Sequence, residues 1–598
     1  MGVSMFFRKI GTAVKKSPPK RAPMETPSPR QAALEQFIVE EIEIGDVKSP
    51  AAAVPLRVRK RSAWWVSIKA AAACTGLWLL LIMASLFARS VWPVDETRML
   101  TVAWEMWTRS EFVLPSLNGE LYARQPPLIA WLIDAGWVVF GVNDWWPRVL
   151  PALFSLASLA VVHRLARLLW RENGEIGRLA PLVLLGTPLW ALYTTLALPD
   201  MLFVFFTLLG WWAVLIMWRH RDMRAFLLLG AALGFGALAL GTIICVYVLP
   251  ATGLAPLWVR DGSRVNWKYW YIDIAKAILL GAAILGLWLV PAGMQAGSPY
   301  VMEWLSGSLI GARLDLFTTG RSWWWYLAWM PIVCLPWSML PLLWWRLWHI
   351  RREPLSVGMA FCVIGTMSTL VLLSLIEVKQ PPFLLPLLPL MALPVSYLLM
   401  DESLEGVGDN HPLGGMTVPV VMLGGALAVL PKLPRVEVLP GFLWDLSPFV
   451  GIGVMVVGIA LAWLPAREVR RRVVDTVVTA VLLVVFLILG AGSQFDEFYR
   501  TDTVGQFLAN AQAQNRAIAY VGEYQGEFQF AGRLREPLPV IDPADADSWR
   551  MNHPDGLLVS DASVWQPRQA NRRQPAMETL YRGSTLRVWD ANIASAPR

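Results

Sequence analysis

Runs of about twenty apolar residues, separated by short polar turns, recur along most of this chain. They fall at roughly 64–89, 147–169, 179–197, 201–218, 225–241, 243–258, 275–292, 324–345, 357–376, 381–400, 414–431, 447–465 and 473–491. Each is near the ~20 residues a helix needs to cross a bilayer, some of them short. The pattern predicts a polytopic α-helical membrane protein with about thirteen transmembrane helices. The least secure division is at Gly241-Thr242, where the two short spans could be one broken helix. Both ends of the chain read differently. Residues 1–62 are polar and rich in Pro, Lys and Arg, with an acidic patch at 35–46, and lack the periodicity of a packed domain. They read as a disordered cytosolic tail. Their apolar stretches are too short and interrupted for a signal peptide. Residues 494–598 alternate β-like runs (517–522, 538–541, 556–560, 585–588) with helical patterns such as 503–512. They predict a small extracytoplasmic α/β domain after a transmembrane domain at 63–493.

Composition agrees with the membrane reading and narrows it. The chain has 598 residues, 56% of them hydrophobic and 16% charged, where soluble domains carry nearer a quarter charged. Its 33 tryptophans suit the membrane–water interface. The net charge of +8 does not point to nucleic acid, because the basic residues are parcelled into short loops between spans. The run Arg57-Val58-Arg59-Lys60-Arg61 abuts the first span and assigns the N-terminus to the cytosol. Clusters at Arg164/Arg167/Arg171, Arg219/Arg221/Arg224, Arg260/Arg264/Lys268, Arg346/Arg351/Arg352 and Arg467/Arg470/Arg471/Arg472 then fall on the cytosolic side, which places the C-terminus outside. Cys74, Cys245, Cys334 and Cys362 lie in apolar runs without ligand spacing, so neither a disulfide framework nor a zinc site is implied. No P-loop, HExxH or GxSxG is present, which leaves ATP hydrolysis, zinc proteolysis and serine-hydrolase chemistry unsupported.

Candidate chemistry gathers on the outer side. The long first loop, 90–146, opens with Val91-Trp92-Pro93-Val94-Asp95-Glu96-Thr97-Arg98. Met99, Ala103, Met106 and Trp107 then recur at helical spacing, predicting an amphipathic helix at the membrane surface. An acid beside apolar walls can act as a base on a substrate hydroxyl, which makes Asp95 the first candidate. Such a residue also caps helices and complements their dipole, and position alone does not separate the two roles. Asp200 follows Pro199 in a tight turn on the same side, where an ionisable group is otherwise costly. Lys379 breaks the positive-inside pattern and suits an anionic partner such as a lipid phosphate, although ordinary snorkelling would also place it there. Arg124 and Arg313 are similar outer-face cations.

These residues resemble a known family. Pro93-x-Asp95-Glu96-Thr97-Arg98, then Gly119-x-x-Tyr122-x-x-Gln125-Pro126-Pro127-Leu128, then Ala197-x-Pro199-Asp200 resemble the lipid-linked-sugar-dependent glycosyltransferases of the GT-C fold, in the branch of the aminoarabinose lipid A transferases and protein O-mannosyltransferases. Leu335-Pro336-Trp337-Ser338 is similar to that family's Pro-Trp segment, and Lys379 through Phe383-Leu384-Leu385-Pro386-x-x-Pro389 to its late lysine–tyrosine–proline segment. The resemblance covers about residues 64–400. It implies a bacterial inner-membrane glycosyltransferase with a periplasmic active site. A polyprenyl-phosphate sugar donor, undecaprenyl-linked, would occupy a groove open to the outer leaflet, and the acceptor would be lipid A, another glycolipid, a glycan or a protein. Asp95 would orient or deprotonate the acceptor for inverting displacement, with Glu96 supporting it or contacting the donor, and Asp200 in the catalytic set. Lys379, Arg124, Arg313 and Arg98 would hold the donor phosphate. No cofactor is required, and a divalent metal is left open.

Four positions depart from the family pattern. Gln125 stands where lysine precedes Pro-Pro, with Arg124 one position earlier; Gly241-Thr242 replaces Lys-Gly; Phe383 replaces the late tyrosine; and Arg321 stands where a histidine is common. They leave open donor identity and a relative that binds polyprenyl-phosphate lipid without transferring sugar. A transporter or flippase would instead place functional acids in mid-span, whereas the candidates here cluster at one membrane face.

Overall fold

The computed structural model describes residues 60–591 except 221–223, 261–264, 308–321, 352–353, 377–378, 401–413, 435–443, 445–446, 463–468, 500, 568–573 and 583. The expected 1–62 tail therefore lies almost wholly outside the described residues.

Seven described helices are long and apolar enough to cross a membrane: Lys69–Ala88, Trp146–Leu169, Asp200–His220, Trp267–Ala296, Val357–Leu375, Pro381–Met400 and Val469–Gly490. One further pair of helices is together long and apolar enough but is sharply bent. Gly174–Leu185 and Pro188–Thr194 meet at 71°. The break is local chemistry: Thr187 precedes Pro188, whose ring disfavours helical geometry before it, and Thr187 is extended at φ −89°, ψ 116°. The other five expected spans coincide with shorter apolar helices. These include Ala225–Leu240 and Ile244–Gly253 on either side of Gly241-Thr242. The stretch 324–345 is likewise divided, into Trp325–Val333 and Pro341–Ile350, with Pro336 between them. Among the described residues, seven helices, or eight elements with the bent pair, are thus long and apolar enough to cross, where about thirteen spans were expected. Proline and glycine divide the runs at 225–258 and 324–345, and the helices Gly414–Val429 and Pro448–Ala462 border residues outside the described set.

The first loop is a structured platform. Asp95–Arg109 is a helix with Asp95 and Glu96 in its first turn and Arg109 in its last, as the helix dipole favours. It ends at Ser110, which takes φ 55° and donates its N–H to carbonyls of the last turn. Strands β1 (Ser116–Leu117) and β2 (Glu120–Leu121) then pair across Asn118-Gly119, both at positive φ. That is the backbone a two-residue hairpin turn demands, and Asn-Gly is the pair that tolerates it. The helix Leu128–Phe140 completes the platform.

In the C-terminal region the strands are β3 (Ile518–Val521), β4 (Val540–Ile541), β5 (Leu557–Asp561), β6 (Met577–Tyr581) and β7 (Ser584–Asp590), in the order β4-β3-β5-β7-β6. β3 lies parallel to β4 and β5, while β7 runs antiparallel to β5 and β6. Four of the strands fall on the runs read from sequence; β6 was not anticipated, because its alternation of half-buried and exposed positions carries little apolar signal. The helix Val469–Phe498 runs through residue 494, so the expected boundary falls inside an element.

Platform and sheet region are joined by aromatic packing and hydrogen bonds. Phe530 stacks on Trp137 at 5.5 Å and meets Trp104 edge-on, and Arg533 lies over the Phe530 ring. The indole of Trp104 donates to the Leu534 carbonyl at 2.7 Å, and Asn118 exchanges hydrogen bonds with both backbone groups of Leu538. At Gly119 an added Cβ would come within 2.9 Å of Pro537, so close approach and turn geometry both select glycine there.

Candidate active site

Glu96 is the most constrained residue of the site. It is 1% exposed and receives a two-pronged pair from Arg89, Nη1 to Oε2 at 2.7 Å and Nη2 to Oε1 at 3.0 Å. The backbone N–H of Trp92 donates to Oε2 and that of Ala197 to Oε1, each at 2.6 Å. Burial alone would raise this carboxyl, but the Arg89 charge and these hydrogen bonds hold it below the usual carboxylate range. Arg89 also donates to the Thr195 carbonyl at 2.5 Å. One carboxylate thereby ties the end of the first span, the start of the loop helix and the turn that carries Asp200.

Asp95, the neighbouring residue, faces the other way. Its side chain is 77% exposed and its one described ion pair, with Arg98 at 3.4 Å, is loose. The Glu96 tie brings Asp95 within Coulombic reach of Asp200, and both act on Tyr193. Asp200 opens the helix Asp200–His220, and its charge in turn reaches Tyr247. The hydroxyl of Tyr247 donates to the Phe383 carbonyl at 2.7 Å, and the N–H of Gln380 reaches the Tyr326 hydroxyl at 3.4 Å. Two phenols, Tyr247 and Tyr326, thus bond to the backbone of the Lys379–Phe383 segment. Lys379 is 5% exposed and donates to the Ile376 carbonyl at 2.9 Å.

Other expected site residues sit less centrally. Arg98 is half-buried between Asp95 and Gln525 of the C-terminal region, to which it donates. Arg124 is exposed at the hairpin's far end, with no described contact to the acid pair. Arg313 and the departure Arg321 lie outside the described residues. Gln125 turns its amide to the Met99 sulfur at 2.7 Å, so the family's lysine position is filled by a neutral group packed against the loop helix. The sequence reading missed Arg89, Tyr193, Tyr247 and Tyr326. A cation seven residues before Glu96 was a usable signal for Arg89; the tyrosines come from distant apolar helices and left none.

Next to the Pro336-Trp337 segment is an apolar cavity of about 360 Å3, lined by residues including Thr187, Cys334, Met359 and Leu388. Trp337 anchors one wall by donating to the Val183 carbonyl at 3.0 Å and the Thr187 hydroxyl at 3.2 Å, at the bend between Gly174–Leu185 and Pro188–Thr194.

This architecture has known counterparts. Residues 124–288 match the family profile described as dolichyl-phosphate-mannose-protein mannosyltransferase. The crystal structure of ArnT from Cupriavidus metallidurans in the apo state superposes with a TM-score of 0.69, covering 90% of this chain and 100% of that one at 19% identity. The form bound to undecaprenyl phosphate gives 0.67. An undecaprenyl phosphate-alpha-4-amino-4-deoxy-L-arabinose arabinosyl transferase of Pseudomonas paraeruginosa is 27% identical over 372 residues, 60% of this chain and 65% of that protein. The chain is similar in sequence to these arabinosyl transferases and shares the fold of the Cupriavidus structure. A Pseudomonas fluorescens relative is 29% identical over 343 residues, 55% of this chain and 57% of its own length. The similarity therefore spans less than two thirds of each of these relatives.

Proposed function

We propose that this chain is a bacterial inner-membrane glycosyltransferase. It moves a sugar from an undecaprenyl-phosphate donor to an acceptor at the periplasmic face, with lipid A as the acceptor favoured by the resemblance. The observation that carries the reading is the division of labour at Asp95-Glu96: one acid saturated, the other open to solvent beside Asp200. In the proposed step, an acceptor oxygen attacks the anomeric carbon as Asp95 takes its proton, and the bond from that carbon to the donor phosphate oxygen breaks. The electron pair leaves with the polyprenyl phosphate, whose developing charge Lys379 and Arg98 offset, with Arg124 and Arg313 completing the cationic set. Asp200 orients the acceptor or the sugar. The apolar cavity beside Trp337 supports room for a lipid chain. This orientation places the loop platform and the 494–598 domain in the periplasm, the 1–62 tail in the cytosol, and about thirteen crossings in the 63–493 domain.

Purified protein supplied with an undecaprenyl-phosphate sugar and lipid A tests the proposal. A sugar-sized mass gain on the acceptor, lowered about 10²–10³-fold in Lys379→Gln, is the expected outcome. Lipid binding without any mass gain would favour the non-transferring relative.

A further inference from the structure

At the opposite end of the bundle from the acid pair is a second cavity, of about 530 Å3, between the helices Trp146–Leu169 and Asp200–His220. Arg164, Arg167, Arg171, Trp212 and His220 line it. Arg164 and Arg167 are one helical turn apart and so share a face, and Arg171 follows just beyond the helix end. The site is shaped around these cations. Arg164 lies over the Trp212 ring at 5.8 Å. The stem of Arg167 lies against Gly177, where an added Cβ would come within 2.9 Å of its Cδ. That backbone is held by His163, whose Nδ1 is 2.6 Å from the Gly177 carbonyl.

The positive-inside rule accounts for cations at this face, but not for unpaired ones converging on a cavity. Neighbouring arginines here have protein partners: Arg178 and Arg470 both pair with Glu175, and Arg346 donates to the Leu398 carbonyl at 2.7 Å. Arg164, Arg167 and Arg171 have no ion pair among the described residues. Two helix C-termini meet at this point, each equivalent to roughly half a negative charge. Among the described residues that line the cavity there is no acid, so about one negative charge from the helix ends faces three guanidinium charges, an excess of about two.

We infer that this cavity is a binding site for the headgroup of an anionic phospholipid of the cytosolic leaflet, with two phosphate charges preferred over one. Guanidinium forks match phosphate oxygens, and Trp212 with Ile216 offers an apolar wall for the glycerol backbone. The inference rests on the charge balance of this face and is independent of the transferase reading.

Native mass spectrometry of the delipidated full-length protein, titrated with cardiolipin, phosphatidylglycerol or phosphatidylcholine, tests it. Cardiolipin should bind tightest and phosphatidylcholine weakest. Each arginine removed should weaken cardiolipin about fivefold, giving roughly a hundredfold loss in the triple Arg164→Gln/Arg167→Gln/Arg171→Gln variant. Arg260→Gln, a cation outside the cavity, should leave binding unchanged. Should the triple variant fail to fold, Arg167→Gln alone reads out the fivefold step. Equal affinity in wild type and variants, or equal uptake of phosphatidylcholine, overturns the proposal. Displacement of cardiolipin by millimolar inorganic phosphate would also overturn it, in favour of a free-anion site.

Discussion

Asp95 and Glu96 are adjacent in sequence, and the fold gives them opposite environments. Glu96 has every oxygen occupied, by Arg89 and two backbone N–H groups. Asp95 is 77% exposed and holds one loose ion pair. A saturated buried carboxylate has no lone pair left for a substrate and cannot change protonation cheaply, so it fixes geometry. An exposed one keeps its oxygens open to a substrate. A paired acid motif therefore need not mean two acids sharing one role. Here one acid is held on every oxygen and the other is open to solvent.

The largest expected effect comes from disabling the open member. Asp95→Asn should lower transfer by about 10²–10⁴-fold while leaving thermal unfolding unchanged, as measured by parallel turnover and melting assays. Changing the closed member should do the reverse in kind. Glu96→Gln strands the Arg89 charge in a buried setting and should cost about 3–5 kcal/mol of stability, read from denaturant or thermal unfolding. The sign of the accompanying pH dependence follows from the lowered Glu96 carboxyl. Its stabilisation is present above the ordinary carboxylate range and is lost as pH falls through the depressed folded value. Wild type should therefore keep this stability through mildly acidic pH, and Glu96→Gln should flatten the acid limb. If Glu96→Gln instead left stability intact and abolished transfer, the two roles would be exchanged.

The smallest effect should come from the support of Arg98. Gln525→Ala removes its partner from the C-terminal region, a hydrogen bond of about 1 kcal/mol. Transfer should fall about fivefold, with the loss in kcat rather than KM if Arg98 acts on the departing phosphate. A change in KM alone would assign Gln525 to acceptor binding.

The sequence made the local elements legible where a single period dominates. The long apolar spans, the loop helix after Pro93 and the short apolar runs of β3 and β5 all carry their own signal. It read poorly where two weak features had to be combined across the chain. The break at Thr187-Pro188 and the division at Pro336 split apolar runs that look continuous to a hydropathy count. Asp95, Asp200 and Lys379 could be singled out because charges are rare at membrane depth. The different fates of Asp95 and Glu96 could not, since they depend on Arg89 and Ala197, which only the folded chain brings to Glu96. The phenols of Tyr247 and Tyr326 were hidden for the same reason.

The most direct test is mass analysis of envelope glycolipids and glycans from three strains of one host. One makes the wild-type chain, one makes none, and one makes Asp95→Asn at equal membrane abundance. A sugar-sized mass increment is expected in the wild-type strain alone. An increment that persists with Asp95→Asn would contradict the assignment of Asp95 as the base, and no increment in any strain would contradict the transferase itself.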